Sequence, residues 1–118
     1  MMRVDKPWGH EIIWAKTDKY VGKILHIKSG HKLSRQYHEI KEETIRVLHG
    51  TMYLEIGTDS EIETKVLVPG DTYHITPGTV HRMIAPLVET NKGYVEVAEV
   101  STPELNDVVR LQDEYRRV

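Results

Sequence analysis

Four residues stand out for what their types and spacing could do together: Gln36, His38, Glu43 and His81. Gln36 and His38 lie two apart in a stretch that reads as a strand, so their side chains leave the same face. The polar turn Glu39-Ile40-Lys41-Glu42 would fold the chain back into a strand beginning at Glu43, laying a carboxylate beside His38. His81 follows the turn Thr76-Pro77-Gly78-Thr79 and could enter the same place from a distant strand. One amide oxygen, two imidazoles and a carboxylate make a mixed nitrogen and oxygen donor set for a divalent ion. Three or four such ligands leave positions open for water or substrate. His10, His26, His31, His49 and His74 have no partner at ligand spacing and read as surface or half-buried strand residues.

A further acidic residue draws notice through alternation. Val95, Val97 and Glu99 share a face, so Glu99 either sits at the solvent end of its strand or points into a polar cavity. The first is commoner, because charged residues are seldom buried without a partner.

The elements that must position these groups are short. Runs of β-branched, aromatic and aliphatic residues alternate with turn chemistry such as Ser29-Gly30, Gly50-Thr51, Pro69-Gly70 and Asn91-Lys92-Gly93. Strands are expected at 10–15, 20–27, 33–38, 43–49, 52–56, 64–68, 72–76, 80–85 and 94–100. Many short strands with Gly and Pro turns predict an all-β antiparallel sandwich or barrel. The tail differs: Thr102-Pro103-Glu104-Leu105 reads as a helix start, with Asp107 to Arg117 following it, so a short helical or irregular C-terminal tail is expected.

Composition bounds the function. The 118 residues amount to one ordinary domain, with 16 Lys and Arg against 18 Asp and Glu and a formal charge of −2. That balance gives no electrostatic case for nucleic acid or an anionic membrane. The longest apolar run, Ile12 to Ala15, cannot span a bilayer, and MMRVDKPWGH does not read as a signal peptide. The absence of cysteine excludes disulfides and thiolate metal sites.

The spacings are more specific than the composition. They run Gly30-x5-Gln36-x-His38-x4-Glu43-x6-Gly50, then Gly70-x5-Thr76-Pro77-Gly78-x2-His81. This resembles the two motifs of the cupin superfamily, whose fold is a double-stranded β-helix or jelly-roll barrel. KPWGHE, SGHKLSRQYHEIKEE and DVVRLQDEYRR are similar, over nearly the whole length, to the cupin domain of type II mannose-6-phosphate isomerases. In that family a mannose-1-phosphate guanylyltransferase domain often precedes it, for which 118 residues leave no room.

The resemblance implies that Gln36, His38, Glu43 and His81 are metal ligands, with Zn²⁺ the first choice and Mn²⁺, Fe²⁺ or Ni²⁺ alternatives. It also implies a sugar or sugar-phosphate ligand and a cytoplasmic location. Several positions depart from the family pattern. Thr76 replaces a proline, Thr44-Ile45 replace a His-Trp pair, the stretch from Glu99 to Arg110 is short, and Tyr115-Arg116-Arg117 replaces Tyr-Gly-Arg.

An aldose–ketose isomerase moves a proton between adjacent carbons through an enediol, which needs a Lewis acid and a base within reach. Glu99 is the candidate base, and Lys41, Arg35 and Arg82 are candidate phosphate ligands. Two other classes stay open: a non-catalytic cupin holding a small polar ligand, and a metal-dependent oxygenase, which Gln36 disfavours. Sheet edges, the stretch Trp8–Trp14 and the apolar residues Val108, Val109 and Leu111 suggest a homodimer, unless both segments pack on their own barrel.

Overall fold

Alternating apolar residues dictate nearly every element of the computed structural model, which describes residues 1–116. The strands are β1 (Met2–Lys6), β2 (Gly9–Lys16), β3 (Val21–Lys28), β4 (Arg35–Tyr37), β5 (Glu43–His49) and β6 (Met52–Gly57). They continue as β7 (Ile62–Leu67), β8 (Thr72–Ile75), β9 (Val80–Ile84), β10 (Tyr94–Ser101) and β11 (Val109–Gln112). In β6 the pattern is plain: Met52, Leu54 and Ile56 are buried, and Tyr53 and Glu55 are half-buried on the opposite face.

The strands form two antiparallel sheets, β1-β2-β3-β10-β5-β8 and β11-β4-β9-β6-β7. Their inner faces meet over a core that includes Leu25, Ile27, Ile45, Met52, Leu54 and Val97. This is the double-stranded β-helix that the family resemblance implies. All nine expected strands are present, with ends shifted by no more than about two residues. No helix among the described residues is long and apolar enough to cross a membrane.

Two strands escape the sequence reading. β1 carries three charges in five residues and forms only because a tight turn at Pro7-Trp8 pairs it with β2. β11 lies in the short tail that was expected to be helical or irregular, and the helical alternative is corrected. Thr102 does not cap a helix; its hydroxyl accepts the Glu42 N–H, and residues 103–107 run as bends and turns. Val109 and Arg110 then pair with Tyr37 and Gln36 along the edge of β4. Helix propensity at a Val-Val pair is weak, and an open strand edge offers the backbone a full set of partners. The last residue of the expected helix, Arg117, lies outside the described residues.

The segments expected at a dimer contact divide. Trp8 is buried in the core and β11 packs on its own barrel, whereas Trp14 is 54% exposed and Leu111 42% exposed.

One glycine has a steric reason to be there. At Gly9, with φ of +153°, a Cβ would lie 1.9 Å from the His26 carbonyl oxygen, whereas at Gly70 a Cβ would meet nothing within 4 Å. Gly70→Ala then pays backbone strain alone, about 1–3 kcal/mol. Gly9→Ala must also displace a strand backbone. Urea denaturation should therefore show a much larger loss for Gly9→Ala; equal losses would refute the steric account.

Candidate metal centre and its cavity

Chain geometry brings the two sequence blocks together. β4 ends just before His38, and the following turn leads into β5 at Glu43. That turn is clamped by the tail: the Asp107 carboxylate accepts the N–H groups of Glu39, Ile40 and Lys41 at 3.1, 2.7 and 2.8 Å. The N–H groups of Lys41 and Ile40 hold the Asp107 carboxyl below its ordinary pKa. The second block joins through the Gly78 N–H, which donates to the His38 carbonyl at 2.7 Å. On β9, His81 lies directly opposite Gln36 of β4.

His38, Glu43 and His81 are all buried, and one ligand atom from each lies within 4.8 Å of the others. Glu43 Oε1 stands 3.4 Å from His38 Nε2 and 3.1 Å from His81 Nε2. Behind the rings, Nδ1 of His38 donates to the Asp107 carbonyl and Nδ1 of His81 to the Thr79 carbonyl. A carbonyl oxygen only accepts, so both rings carry their proton on Nδ1 and, when neutral, aim a lone pair from Nε2 at the carboxylate. Three lone pairs converge on one point. Only a proton or a cation between them makes that arrangement favourable.

Glu43 is held ionised for such a partner. Burial pushes its carboxyl up, but the hydrogen bonds with His38 and His81 and the charge of Lys41 hold it well below the usual range. Lys41 is itself buried, with Nζ 3.5 Å from Glu43 and 3.2 Å from Glu99. Burial disfavours its ammonium, yet Glu99 and Glu43 outweigh that and raise its pKa.

Glu99 does point inward, as the second of its two readings had it, and is 4% exposed. Burial first, and then the Glu43 charge, push its carboxyl up to about 7 against the pull of Lys41 and Lys23. It stands behind Lys41 and does not line the cavity beside the triad.

That cavity, about 100 Å³, opens between the two sheets. Gln36, His38, Glu43 and His81 line it together, with Leu105, Val108 and Arg110 of the tail on the same wall system. Of the three candidate phosphate ligands, only Lys41 reaches it. Arg35 pairs with Glu55 at 2.9 Å, and Arg82 donates to the Gln112 carbonyl at 2.9 Å; neither lines the cavity. Strand alternation gives the reason: Arg35 flanks the inward Gln36, and Arg82 flanks the inward His81.

Of the seven histidines, only His38 and His81 line it. His10, His26 and His49 stack in a row with Tyr94, His31 bonds Tyr115, and His74 bonds Glu42. Sequence reasoning missed Lys6, Glu11, Lys23 and Arg110 as lining residues. The alternation Glu11–Ile13 in β2 and Lys23–Leu25–Ile27 in β3 was a signal that could have found two of them.

Removing one member of a buried charge network leaves the others uncompensated. Lys41→Met should therefore cost roughly 3–5 kcal/mol in urea denaturation, with Lys41→Met/Glu99→Gln recovering part of it. A loss below about 1 kcal/mol would show that Lys41 is not what stabilises the two carboxylates.

Comparison with known proteins places this architecture. Residues 1–113 match the family described as "Mannose-6-phosphate isomerase C-terminal". Over 98% of its length the chain is 32% identical to a "Mannose-1-phosphate guanylyltransferase" of Escherichia coli (strain K12), covering 23% of that protein. The chain thus spans about a quarter of the length of the curated relatives it matches. Among solved structures, the capsular polysaccharide assembling protein CapF from Staphylococcus aureus superposes with a TM-score of 0.80 at 16% identity, covering 94% of this chain and 31% of that one. KdgF from Halomonas sp. does so with a TM-score of 0.73 at 21% identity, covering 87% and 86%. At these identities the two structures speak to the fold alone. The match over almost every residue, on a double-stranded β-helix, shows that the chain belongs to the mannose-6-phosphate isomerase C-terminal family, a cupin domain.

Proposed function

We propose that this chain is a divalent-metal-binding cupin that acts on a sugar phosphate as an aldose–ketose isomerase, interconverting mannose 6-phosphate and fructose 6-phosphate. One observation carries the reading: the His–Glu–His cluster opens on a cavity lined by Lys6, Lys23, Lys41 and Arg110 against two carboxylates, in a chain of net charge −2. A cationic pocket in an anionic protein selects an anionic ligand. The family's name and that of the E. coli relative point to mannose phosphates.

The donor set fits a metal ion. His38 and His81 would ligate through Nε2, Glu43 through a carboxylate oxygen and Gln36 through its amide oxygen, a combination suited to Zn²⁺ first and to Mn²⁺, Fe²⁺ or Ni²⁺ as well. Bound there, the cation supplies Lewis-acid polarisation of the sugar's carbonyl and adjacent hydroxyl oxygens. The protein's own residues do the rest. Asp107 and Thr79 fix the ring orientations through their carbonyls, Lys41 keeps Glu43 ionised, and Glu99 holds Lys41 in place. Lys6 and Arg110 meet the phosphate.

A second reading has an observation behind it. The cavity is smaller than the roughly 300–1,000 Å³ of sites that enclose drug-sized ligands, and tail residues wall one side of it. A lone domain that only holds a small polar anion would suit that size.

Purified protein should bind one divalent ion per chain in a calorimetric titration. Glu43→Gln and His81→Ala should each weaken that binding by more than about 100-fold while leaving the circular dichroism of the sheets unchanged. The loaded protein should interconvert the two hexose 6-phosphates, followed by NMR. Stoichiometric metal with no turnover across a panel of hexose phosphates would defeat the isomerase reading. A ligand-dependent rise in melting temperature without chemical change would then favour the binding module.

A further inference from the structure

The inner face of β2 and β3 is otherwise apolar, built from Ile13, Val21, Leu25 and Ile27. Two charges interrupt it. Glu11 and Lys23 are 7% and 8% exposed, and their Oε1 and Nζ atoms stand 3.3 Å apart. Their strands pair so that Glu11 faces Leu25 and Ile13 faces Lys23, which puts the two charges on a cross-strand diagonal of one face. Replacing a buried ion pair of this kind by apolar residues is often neutral or stabilising, so stability gives little reason for it to be here.

Position gives one. Glu11 and Lys23 line the same cavity of about 100 Å³ as Gln36, His38, Glu43 and His81; their strands lie in the sheet that carries Glu43, whereas Gln36 and His81 come from the other sheet. That is the volume of about three water molecules, so a group held at the triad is within reach of Glu11 and Lys23. The other carboxylates near the site are engaged. Glu43 faces two imidazoles and Lys41, and Glu99 lies behind Lys41. Glu11 accepts one hydrogen bond, through Oε1, and its Oε2 accepts none from the described residues.

We propose that Glu11 and Lys23 are the acid–base pair of the cavity, with Glu11 carrying the proton between the two carbons and Lys23 serving the two oxygens. The inference rests on the isomerase reading and assigns its chemistry to these residues. For an aldose entering, the Glu11 carboxylate removes the proton from C2. The C–H electron pair forms the C1–C2 double bond, the C1 carbonyl π pair moves to O1, and O1 takes a proton from the Lys23 ammonium. In the return step, the O2 hydroxyl gives its proton to Lys23 and its electron pair forms the C2 carbonyl. The C1–C2 π pair then takes the proton from Glu11 at C1. Both side chains end as they began, and no other reactant is needed. One carboxylate on one face serves both carbons, which suits a site with a single unencumbered carboxylate.

The test uses the metal-loaded full chain and three variants, Glu11→Gln, Glu11→Asp and the apolar pair Glu11→Leu/Lys23→Met. It reads turnover on mannose 6-phosphate, exchange of the C2 proton with deuterated water by NMR, and metal content. Glu11→Gln should lower kcat roughly 100- to 10,000-fold with KM and metal content little changed, and should abolish C2 exchange. Glu11→Asp should retain part of the rate. If Glu11→Gln fails to fold, the apolar pair removes the desolvated charges together, should fold, and should be equally inactive. An active wild type beside a folded Glu11→Gln or apolar-pair variant within threefold of its kcat overturns the assignment and leaves the isomerase reading standing. A wild type with bound metal and neither turnover nor exchange overturns both.

Discussion

A carboxylate almost wholly removed from water, Glu43, sets the terms for what surrounds it. Transferring an ionised carboxyl into a barrel costs several kcal/mol unless partners replace its hydration. The Lys41 ammonium, and a proton or cation shared with the two imidazoles, are those partners. Lys41 is then a buried cation in its own right and draws in Glu99. Glu99 lies opposite Lys23 in the pairing of β10 with β3, and Lys23 is paired with Glu11. The result is a row of alternating charge along one sheet, from Glu43 on β5 to Glu11 on β2, each charge requiring the next.

The same logic explains the tail. His38 and His81 can present Nε2 inward only if something fixes their Nδ1 protons, and backbone carbonyls of Asp107 and Thr79 do so. Asp107 belongs to the tail, and its side chain also binds three consecutive N–H groups of the turn between β4 and β5. The C-terminal segment is thus part of the architecture that holds the His–Glu–His cluster. That gives a functional as well as a topological reason for β11 to dock on β4 in place of an independent helix.

Much of the fold and part of the site were legible in the sequence. Strands with two or three apolar residues in alternation, such as β6 and β10, announce themselves because one face must be buried. β1 and β11 do not, since each has only one alternating apolar pair, Met2/Val4 and Val109/Leu111, which stays exposed or half-buried, and each exists as the partner of a neighbouring strand. Gln36, His38, Glu43 and His81 were readable because local geometry, two residues on a face and a short turn, places three of them and motif spacing places the fourth. Lys41 was readable as basic but not as buried. Arg35 and Arg82 were equally basic, and only strand parity turned them away from the cavity.

The sequence by itself determined the class of fold, through short-range rules of alternation and turns, and its resemblance to a known family singled out the four candidate ligands. Tertiary structure alone decided which charges share the cavity. That outcome depends on which strands lie across from one another and in what register, and a shift of one residue in any strand would exchange its inward and outward sets. Seven histidines became two at the site, three candidate phosphate cations became one, and Glu11 and Lys23 came to line the same cavity as the triad. Such placements are set by pairing between distant segments, which residue type and local spacing do not encode.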